Sequence, residues 1–165
     1  MPKSTVMLPN DLEVVVIRDF RAPRPVVFDA WTQPELVSRW LLGPPGWTMP
    51  VCEMDVRVGG KFRWRWRSEA GAEFGFTGVF REVVRPSRIV HTEVYDPGTV
   101  GGTMGAEALI TAVLTEKNGI TTYTTTIRYQ SKADRDAAVS TGMTDGMEQS
   151  FALLDALLDA AGESR

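Results

Sequence analysis

The stretch Lys61–Ser68, KFRWRWRS, alternates aromatic and basic residues with a period of two. In a β-strand, this alternation sends successive side chains to opposite faces of the sheet. Phe62, Trp64 and Trp66 therefore share one face, and the lysine and arginines share the other. We expect the aromatic face to lie in the interior, either as plain core or as the wall of a cavity, and the basic face to be solvated.

Similar alternating stretches surround this strand. Turn-forming residues such as Gly59-Gly60 and Lys117-Asn118-Gly119 separate them, and such short connections favour antiparallel neighbours. The predicted strands are 13–21, 51–58, 61–68, 73–84, 88–95, 107–116 and 120–130. The sequence therefore predicts a curled antiparallel sheet of about seven strands.

Helical spacing appears before and after this meander. Two short helices follow the first strand, because Pro25 marks a helix start and Thr32 is the expected cap of the next helix, which Gly43–Gly46 ends. Ser131 is expected to cap one long helix that runs to about Ala161. Its apolar stripe consists of Met143, Met147, Phe151, Leu154 and Leu158. A single long helix must pack in the concave face of a curled sheet, which tends to leave a cavity between them.

Two glycines, Gly142 and Gly146, interrupt the long helix. Each costs about 1 kcal/mol relative to alanine in a helix interior. Such a cost is tolerated where the backbone approaches another group closely or where the helix bends. The neighbouring methionines offer flexible apolar surface suited to a ligand. Close packing, a bend, ligand contact and a regular helix that starts only near Thr144 are all compatible with the sequence.

Composition excludes several kinds of protein and site. The 165 residues correspond to one domain, expected over 11–162, with loose tails at 1–10 and 163–165. One cysteine, Cys52, and one histidine leave too few ligands for zinc and no internal disulfide, so we expect no metal and no cofactor. A net charge of −3 argues against nucleic-acid binding. Neither a membrane span nor a targeting segment is evident, so a cytoplasmic location is expected.

His91 and Glu93 carry the acid–base chemistry that the sequence offers. They share a strand face at a spacing of about 7 Å. An imidazole beside a carboxylate is typical of an acid–base pair or a ligand anchor. The alternative is a polar pair that only hydrogen-bonds its neighbours. Since no serine or cysteine can be tied to His91 by spacing, nucleophilic catalysis is not supported.

Four segments of the chain resemble a known family. They are RAPRPVVFDAWTQPELVSRWLLGPPGWT, DVRVGGKFRWRWRS, FTGVFREVVRPSRIVHTEVYD and SKADRDAAVSTGMTDGMEQSFALLDALL. Together they are similar to the bacterial relatives of the heat-shock-protein-90 ATPase activator, within the START-like (SRPBCC) superfamily. The resemblance covers Glu13 to Ala160 and implies the α+β helix-grip fold, with an internal hydrophobic cavity. In the polyketide cyclases of that superfamily, polar cavity groups orient and enolise a substrate.

The expected function is binding of a small hydrophobic or aromatic molecule between the sheet and the last helix, without catalysis. The candidate lining residues are Trp40, Trp47, Met54, Phe62, Trp64, Trp66, Phe76, His91, Glu93, Tyr123, Met143 and Met147. Trp31 is assigned to the core face of the first helix, and Trp40 and Trp47 are placed near the mouth of the cavity. The alternatives are a cyclase- or aromatase-like enzyme that uses His91 and Glu93, and a module that interacts with a chaperone. A homodimer is compatible with each of these, whereas no nucleic-acid or membrane partner is expected.

Overall fold

The computed structural model describes residues 1–163. Its strands are β1 Thr5–Met7, β2 Glu13–Phe20, β3 Trp47–Met54, β4 Lys61–Ser68, β5 Glu73–Val84, β6 Arg88–Asp96, β7 Ala108–Lys117 and β8 Ile120–Arg128. Its helices are α1 Arg24–Thr32, α2 Pro34–Trp40, α3 Lys132–Ser140 and α4 Met143–Glu163. None of the helices within residues 1–163 is long and apolar enough to cross a membrane.

All eight strands form one antiparallel sheet in the order β1-β2-β8-β7-β6-β5-β4-β3. The sheet curls around α4, and its inner face and the buried stripe of that helix form the main core. Phe151, Leu154 and Leu158 of α4 are fully buried in this core. The predicted α+β helix-grip fold is therefore confirmed, with eight strands where about seven were expected.

The additional strand lies in the predicted N-terminal tail. Residues 5–7 pair with β2, where Thr5 is opposite Ile17, and the backbone N–H of Ser4 donates to Glu148 Oε1 of α4 at 2.7 Å. Three residues are too short a stretch to show a period of two, so the pattern could not reveal this strand. At the other end, α4 continues through Glu163, and residues 164 and 165 of the predicted tail lie outside the described residues.

The predicted single C-terminal helix is two helices. Ser131 caps the first as expected, because its Oγ accepts a hydrogen bond from the backbone N–H of Asp134 at 3.1 Å. The break comes at Gly142, whose φ of 81° is left-handed and follows the α3 cap residue Thr141. Glycine is the residue that most readily adopts this conformation at a helix end. Gly142 therefore ends α3 and allows the axis of α4 to differ from that of α3.

Two predicted boundaries also differ from the structure. Strand β3 covers Trp47–Met54 rather than 51–58, and its pairing with β4 shifts register between Thr48 and Val51. Helix α2 has Gln33 rather than Thr32 at its N-cap. The Thr32 hydroxyl instead donates to the carbonyl of Phe28 within the preceding helix. Strand β3 follows the register of β4, and the Thr32 hydroxyl is already bonded within α1. Neither of these contacts is visible in the local sequence pattern.

A buried arginine holds α4 on the sheet. Arg18 of β2 is only 2% exposed. Its Nη2 lies 3.0 Å from Glu148 Oε2 and 2.8 Å from Asp155 Oδ2. These two carboxylates are seven residues apart, about two helical turns, and so lie on the same face of α4. The position of the helix above the inner face is thereby determined by charge as well as by apolar packing.

Candidate functional site

The inner face of β4 forms an aromatic wall, as its alternation predicts. Phe62, Trp64 and Trp66 are buried, whereas Lys61 and Arg67 on the other face are exposed. The Phe62 and Trp64 ring centroids are 4.5 Å apart, and those of Trp64 and Trp66 are 6.2 Å apart. The wall faces the same interior space as α4, because both belong to one core cluster.

His91 lies within this aromatic wall. Its ring centroid is 5.0 Å from that of Phe62, 6.2 Å from that of Trp64 and 5.8 Å from that of Phe80. Its Nδ1 lies 3.0 Å from the carbonyl oxygen of Thr92. A carbonyl can only accept, so Nδ1 carries the proton and Nε2 keeps its lone pair. Burial lowers the pKa of His91 to about 4, so the ring is neutral at pH 7.

Glu93 is the second polar group of the inner face. Its Oε2 lies 3.9 Å from His91 Nδ1. Burial raises the pKa of Glu93 to about 8, although its side chain is still 22% exposed. This exposure, on a residue that points between the sheet and α4, means that solvent reaches the interior at this end. The carboxyl is therefore a protonatable group in a largely apolar, partly open space.

Two tyrosines complete a cluster around Glu93. Burial, and secondarily the charge of Glu93, raises the pKa of Tyr129 to about 12. The pKa of Tyr123 is raised by burial and to a smaller extent by Glu93, while a hydrogen bond with Thr125 lowers it. Both phenols are thus within electrostatic range of the same carboxyl. We refer to His91, Glu93, Tyr123 and Tyr129 as the polar cluster.

Helices cover the polar cluster on two sides. The Tyr129 hydroxyl donates to the Sδ atom of Met143 at 3.4 Å, which connects the cluster to the first residue of α4. Tyr123 stacks on Trp31 of α1, with ring centroids 4.5 Å apart and planes 13° apart. The cluster is therefore enclosed by the sheet below and by α1 and α4 above.

Two buried indole N–H groups near this cluster have no acceptor. Within residues 1–163, the Nε1 atoms of Trp31 and Trp64 are buried and make no hydrogen bond. The indoles of Trp40 and Trp66, by contrast, donate to the carbonyls of Ala30 at 2.9 Å and Leu41 at 2.6 Å. An unpaired buried donor costs roughly 1–3 kcal/mol. Trp31 and Trp64 thus carry an energetic cost that the indoles of Trp40 and Trp66 avoid.

The N-terminal half of α4 leaves space above the sheet. Gly146 lies between Met143 and Met147 in the N-terminal part of α4 and is only partly buried. A Cβ added at Gly146 would have no neighbouring atom within 4 Å. At Gly78 of β5, by contrast, a Cβ would lie 1.9 Å from the carbonyl oxygen of Thr92. Close packing therefore does not explain Gly146, because a side chain there would have open space around it.

The structure separates the other sequence-predicted lining residues into groups. Trp40 is 0% exposed and belongs to the core rather than to a cavity mouth, because its indole is bonded within the α1–α2 unit. The ring of Trp47, on β3 at the edge of the sheet, packs edge-on against the ring of Phe74, and the two ring centroids are 5.2 Å apart. The ring centroids of Phe76 and Tyr95 are 5.5 Å apart. Met54 and Met147 are partly buried against the main core, and Met143 packs against a second cluster of Ala108, Ile110 and Ile127.

Sequence reasoning missed Tyr129 as a member of the polar cluster, whereas it placed Trp31 in the core, where Trp31 packs against the main core cluster. Tyr129 lies two residues after Ile127, on the same side of the chain, so continuing the β8 alternation by one residue identifies it. Nothing in the sequence distinguishes Trp31 from any other core aromatic residue. Its unpaired indole depends on which carbonyls the fold brings near it.

Other features of the described residues lie outside this region. An open groove of about 420 Å³ lies on the outer face of β4–β6, lined by Lys61, Arg63, Val79 and Thr92 among others. Within residues 1–163, no group of three or more His, Cys, Asp or Glu side chains is arranged to hold a metal ion. Burial raises the pKa of Cys52 to about 11, which makes its thiol a poor nucleophile at neutral pH.

Comparison with solved structures identifies the same fold. A Rhodobacter sphaeroides protein is 28% identical, with a TM-score of 0.88 over 96% of this chain and 99% of that one. A Nitrosomonas europaea protein is 22% identical, with a TM-score of 0.81 over 94% and 99% of the two chains. A Mycobacterium smegmatis protein is 21% identical, with a TM-score of 0.83 over 95% and 97%. The last two similarities concern the fold alone.

Sequence comparison shows the family. No curated protein matches the sequence. The family model described as "Activator of Hsp90 ATPase homolog 1-like protein" matches residues 21–159, which include both α1 and nearly all of α4. The chain therefore belongs to the family of activator of Hsp90 ATPase homolog 1-like proteins, within the START-like superfamily.

Proposed function

We propose that the protein binds a small, largely apolar molecule between the inner face of the sheet and the N-terminal half of α4. The observation that carries this proposal is the open space beside Gly146, in the N-terminal half of the helix. The residues on either side of it, Met143 and Met147, are only partly buried, whereas Phe151 and Leu154 further along the helix are fully buried. The helix is thus tightly packed at one end and open at the other.

The lining of this space suits an apolar ligand. Aromatic rings of β4 and β5 would form one wall, and Met147 of α4, which packs against the same core cluster, would lie on the other side. Burial of apolar surface contributes about 25 cal/mol per Å², so a ligand that buries about 200 Å² gains roughly 5 kcal/mol before the costs of association. The methionines can adapt to ligands of different shape because their side chains are flexible. A gain of this size corresponds to a Kd of about 0.2 mM before those costs, so affinities near the millimolar range are expected.

The polar cluster would orient such a ligand. His91 Nε2 can accept a hydrogen bond, and a protonated Glu93 and the phenol of Tyr123 can donate one. A few placed polar groups in an apolar pocket are what gives a binding site its orientation and specificity. The same groups could serve a cyclase-type enzyme, which would require the same binding step first.

Fluorescence of N-phenyl-1-naphthylamine, a neutral apolar probe, tests the proposal. We expect saturable binding to the wild-type protein. Gly146→Leu fills the gap and should weaken binding at least tenfold. Ala152→Leu, at an exposed position of the same helix, is the matched control and should bind as wild type does. Absence of saturable binding, or equal binding by a folded Gly146→Leu variant, contradicts the proposal.

A second candidate function comes from the family. The description of the matching family names an activator of the Hsp90 ATPase. Lys61 and Arg63, which line the outer groove together with Glu53 and Glu107, are charged side chains that a protein partner could bind. If this function is correct, the protein should raise the ATPase rate of a bacterial Hsp90, and a Lys61→Glu/Arg63→Glu variant should do so less. Unchanged ATPase rates at saturating protein would exclude it.

A further inference from the structure

We infer that the carboxyl group of Glu93 anchors the ligand, and that it pairs with an uncharged ligand group in which a hydrogen-bond donor lies beside an acceptor, as in a primary amide or a lactam. The inference rests on the proposed binding function and adds to it the chemical class of the polar end of the ligand. It makes Glu93 the residue that determines specificity at this site.

Strand register places Glu93 between an aromatic ring and a small side chain on the inner face. Glu93 pairs with Ala108 of β7, and the β7–β8 register, continued by one residue, brings Tyr129 to the other side of Ala108. Glu93 and Tyr129 are thus two strands apart, about 10 Å between their backbones, with only a methyl group between them. On the opposite side, the β5–β6 register places Gly78 next to Glu93, and the ring of Phe62 occupies the place of the missing side chain.

This row of residues lies below the first turn of α4. Met143, the first residue of that helix, packs against the cluster that contains Ala108, and its Sδ accepts the hydrogen bond from the Tyr129 hydroxyl at 3.4 Å. Gly146 follows Met143 by three residues, about one helical turn. Glu93 is therefore at the end of the interior where α4 has open space beside it. Its side chain is 22% exposed, so the carboxyl has accessible surface to which a ligand can bind.

The carboxyl of Glu93 has no hydrogen-bond partner among residues 1–163. His91 Nδ1, at 3.9 Å, is the only basic side-chain nitrogen in that range within 4.0 Å of it, and the proton on this nitrogen is engaged by the carbonyl oxygen of Thr92. Because burial raises the pKa of Glu93 to about 8, the carboxyl is protonated at pH 7. A protonated carboxyl offers an O–H donor beside a carbonyl acceptor. A primary amide or a lactam presents the complementary pair and can form two hydrogen bonds with it.

Charged ligand groups fit this position less well. A carboxylate would meet no free buried cation within residues 1–163, because the two buried arginines, Arg18 and Arg135, are bound to carboxylates. An ammonium group would require an ionised Glu93, which burial opposes. The other titratable groups of the polar cluster are also uncharged at pH 7, because burial raises the pKa of both phenols and lowers that of the imidazole.

Four naphthalene probes of similar shape test the inference: 2-naphthamide, its methyl ketone isostere 2-acetylnaphthalene, 2-naphthoate and 2-naphthylmethylammonium. Dissociation constants at pH 7 are obtained from titrations followed by backbone ¹H–¹⁵N chemical shifts. We expect the amide to bind about three- to tenfold more tightly than the ketone, because it forms one additional hydrogen bond. Both charged probes should bind more weakly than the ketone. The shifted resonances should include those of Glu93 and Ala108.

Two variants of Glu93 separate ligand binding from a structural role. Glu93→Met removes the donor and the acceptor and should abolish the preference for amide over ketone. Glu93→Gln keeps a donor beside an acceptor in a group that does not titrate, so the preference should survive. The ketone can only accept from the carboxyl O–H. Its affinity for wild type should therefore fall at least threefold between pH 7 and pH 9.5, as Glu93 ionises, whereas its affinity for Glu93→Gln should stay constant.

The outcomes distinguish this inference from the proposed function. If neither N-phenyl-1-naphthylamine nor any of the four probes binds, the proposed binding function is contradicted, and this inference with it. If N-phenyl-1-naphthylamine or one of the four probes binds but the amide binds no more tightly than the ketone, the binding function stands and this inference is overturned. The same holds if a charged probe binds most tightly or if Glu93→Met keeps the amide preference.

Discussion

The Nδ1 atom of His91 lies 3.9 Å from the Oε2 atom of Glu93 in the interior of the protein, yet the two side chains do not form an ion pair at neutral pH. Burial lowers the pKa of His91 to about 4 and raises that of Glu93 to about 8. Between these values the histidine is unprotonated and the glutamate keeps its proton. Two uncharged polar groups avoid the large cost of burying charge and remain free to hydrogen-bond a ligand.

Glu93→Gln should stabilise the protein at high pH. The ordinary pKa of this carboxyl is 4.5, whereas burial raises it to about 8 in the fold. Between these values the folded state binds more protons than the unfolded state, so wild-type stability falls as the pH rises. The variant has no carboxyl to titrate at this position. Its free energy of unfolding should therefore rise by roughly 2–5 kcal/mol relative to that of wild type between pH 4.5 and pH 8.5. Urea denaturation at the two pH values measures this, and a difference that is independent of pH would contradict it.

His91→Gln should change how the stability of the protein depends on pH on the acidic side of neutrality. The ordinary pKa of histidine is 6.5 and the buried ring has a pKa of about 4. Between these values the unfolded state binds more protons, so wild-type stability is lost as the pH falls from 6.5 to 4. The variant should be less stable than wild type at pH 7, because it loses ring packing, but its stability should fall by about 3 kcal/mol less on acidification. Thermal denaturation of wild type and variant at pH 7 and pH 4.5 measures how much stability each loses on acidification. Equal losses would contradict the assignment of this titration to His91.

Alanine substitutions at the two helix glycines should have opposite signs. Gly146→Ala places a Cβ in open space and should stabilise α4 by up to about 1 kcal/mol. Gly142→Ala forces an L side chain into a φ of 81° and should destabilise by roughly 1–2 kcal/mol. Chemical denaturation of the two variants and of wild type measures these differences in the free energy of unfolding. Destabilisation by Gly146→Ala would show that the gap at α4 is filled by a neighbouring group.

Arg18→Ala should strongly destabilise the fold. Its guanidinium is 2% exposed and bonded to Glu148 and Asp155, so its removal leaves two partly buried carboxylates without a cation. The expected cost is roughly 3–5 kcal/mol, and it should persist in 1 M salt because the pair is largely shielded from solvent. Arg63→Ala, at an exposed position of β4, should change stability by less than about 0.5 kcal/mol. Equal effects of the two variants would contradict a structural role of the Arg18 contacts.

Local patterns were sufficient for most of the fold. The predicted bounds of β4 and β5, 61–68 and 73–84, are those of the structure, because alternation over eight or more residues identifies a half-buried strand. The pattern was insufficient where an element is short or where its partner decides its limits. Strand β1 exists because β2 offers it a free edge, and β3 begins earlier than predicted because it follows the register of β4.

The sequence by itself determined which residues face the interior. Periodicity of two predicted that Trp64 faces the interior and that His91 and Glu93 share one strand face, and periodicity near 3.6 predicted the apolar stripe of α4. Only the tertiary structure decided what these residues can do there. Whether an indole N–H finds a carbonyl, whether burial leaves Glu93 protonated and whether a glycine borders a gap depend on distances between segments far apart in the chain. Those distances follow from how the sheet curls around α4, which no local pattern encodes.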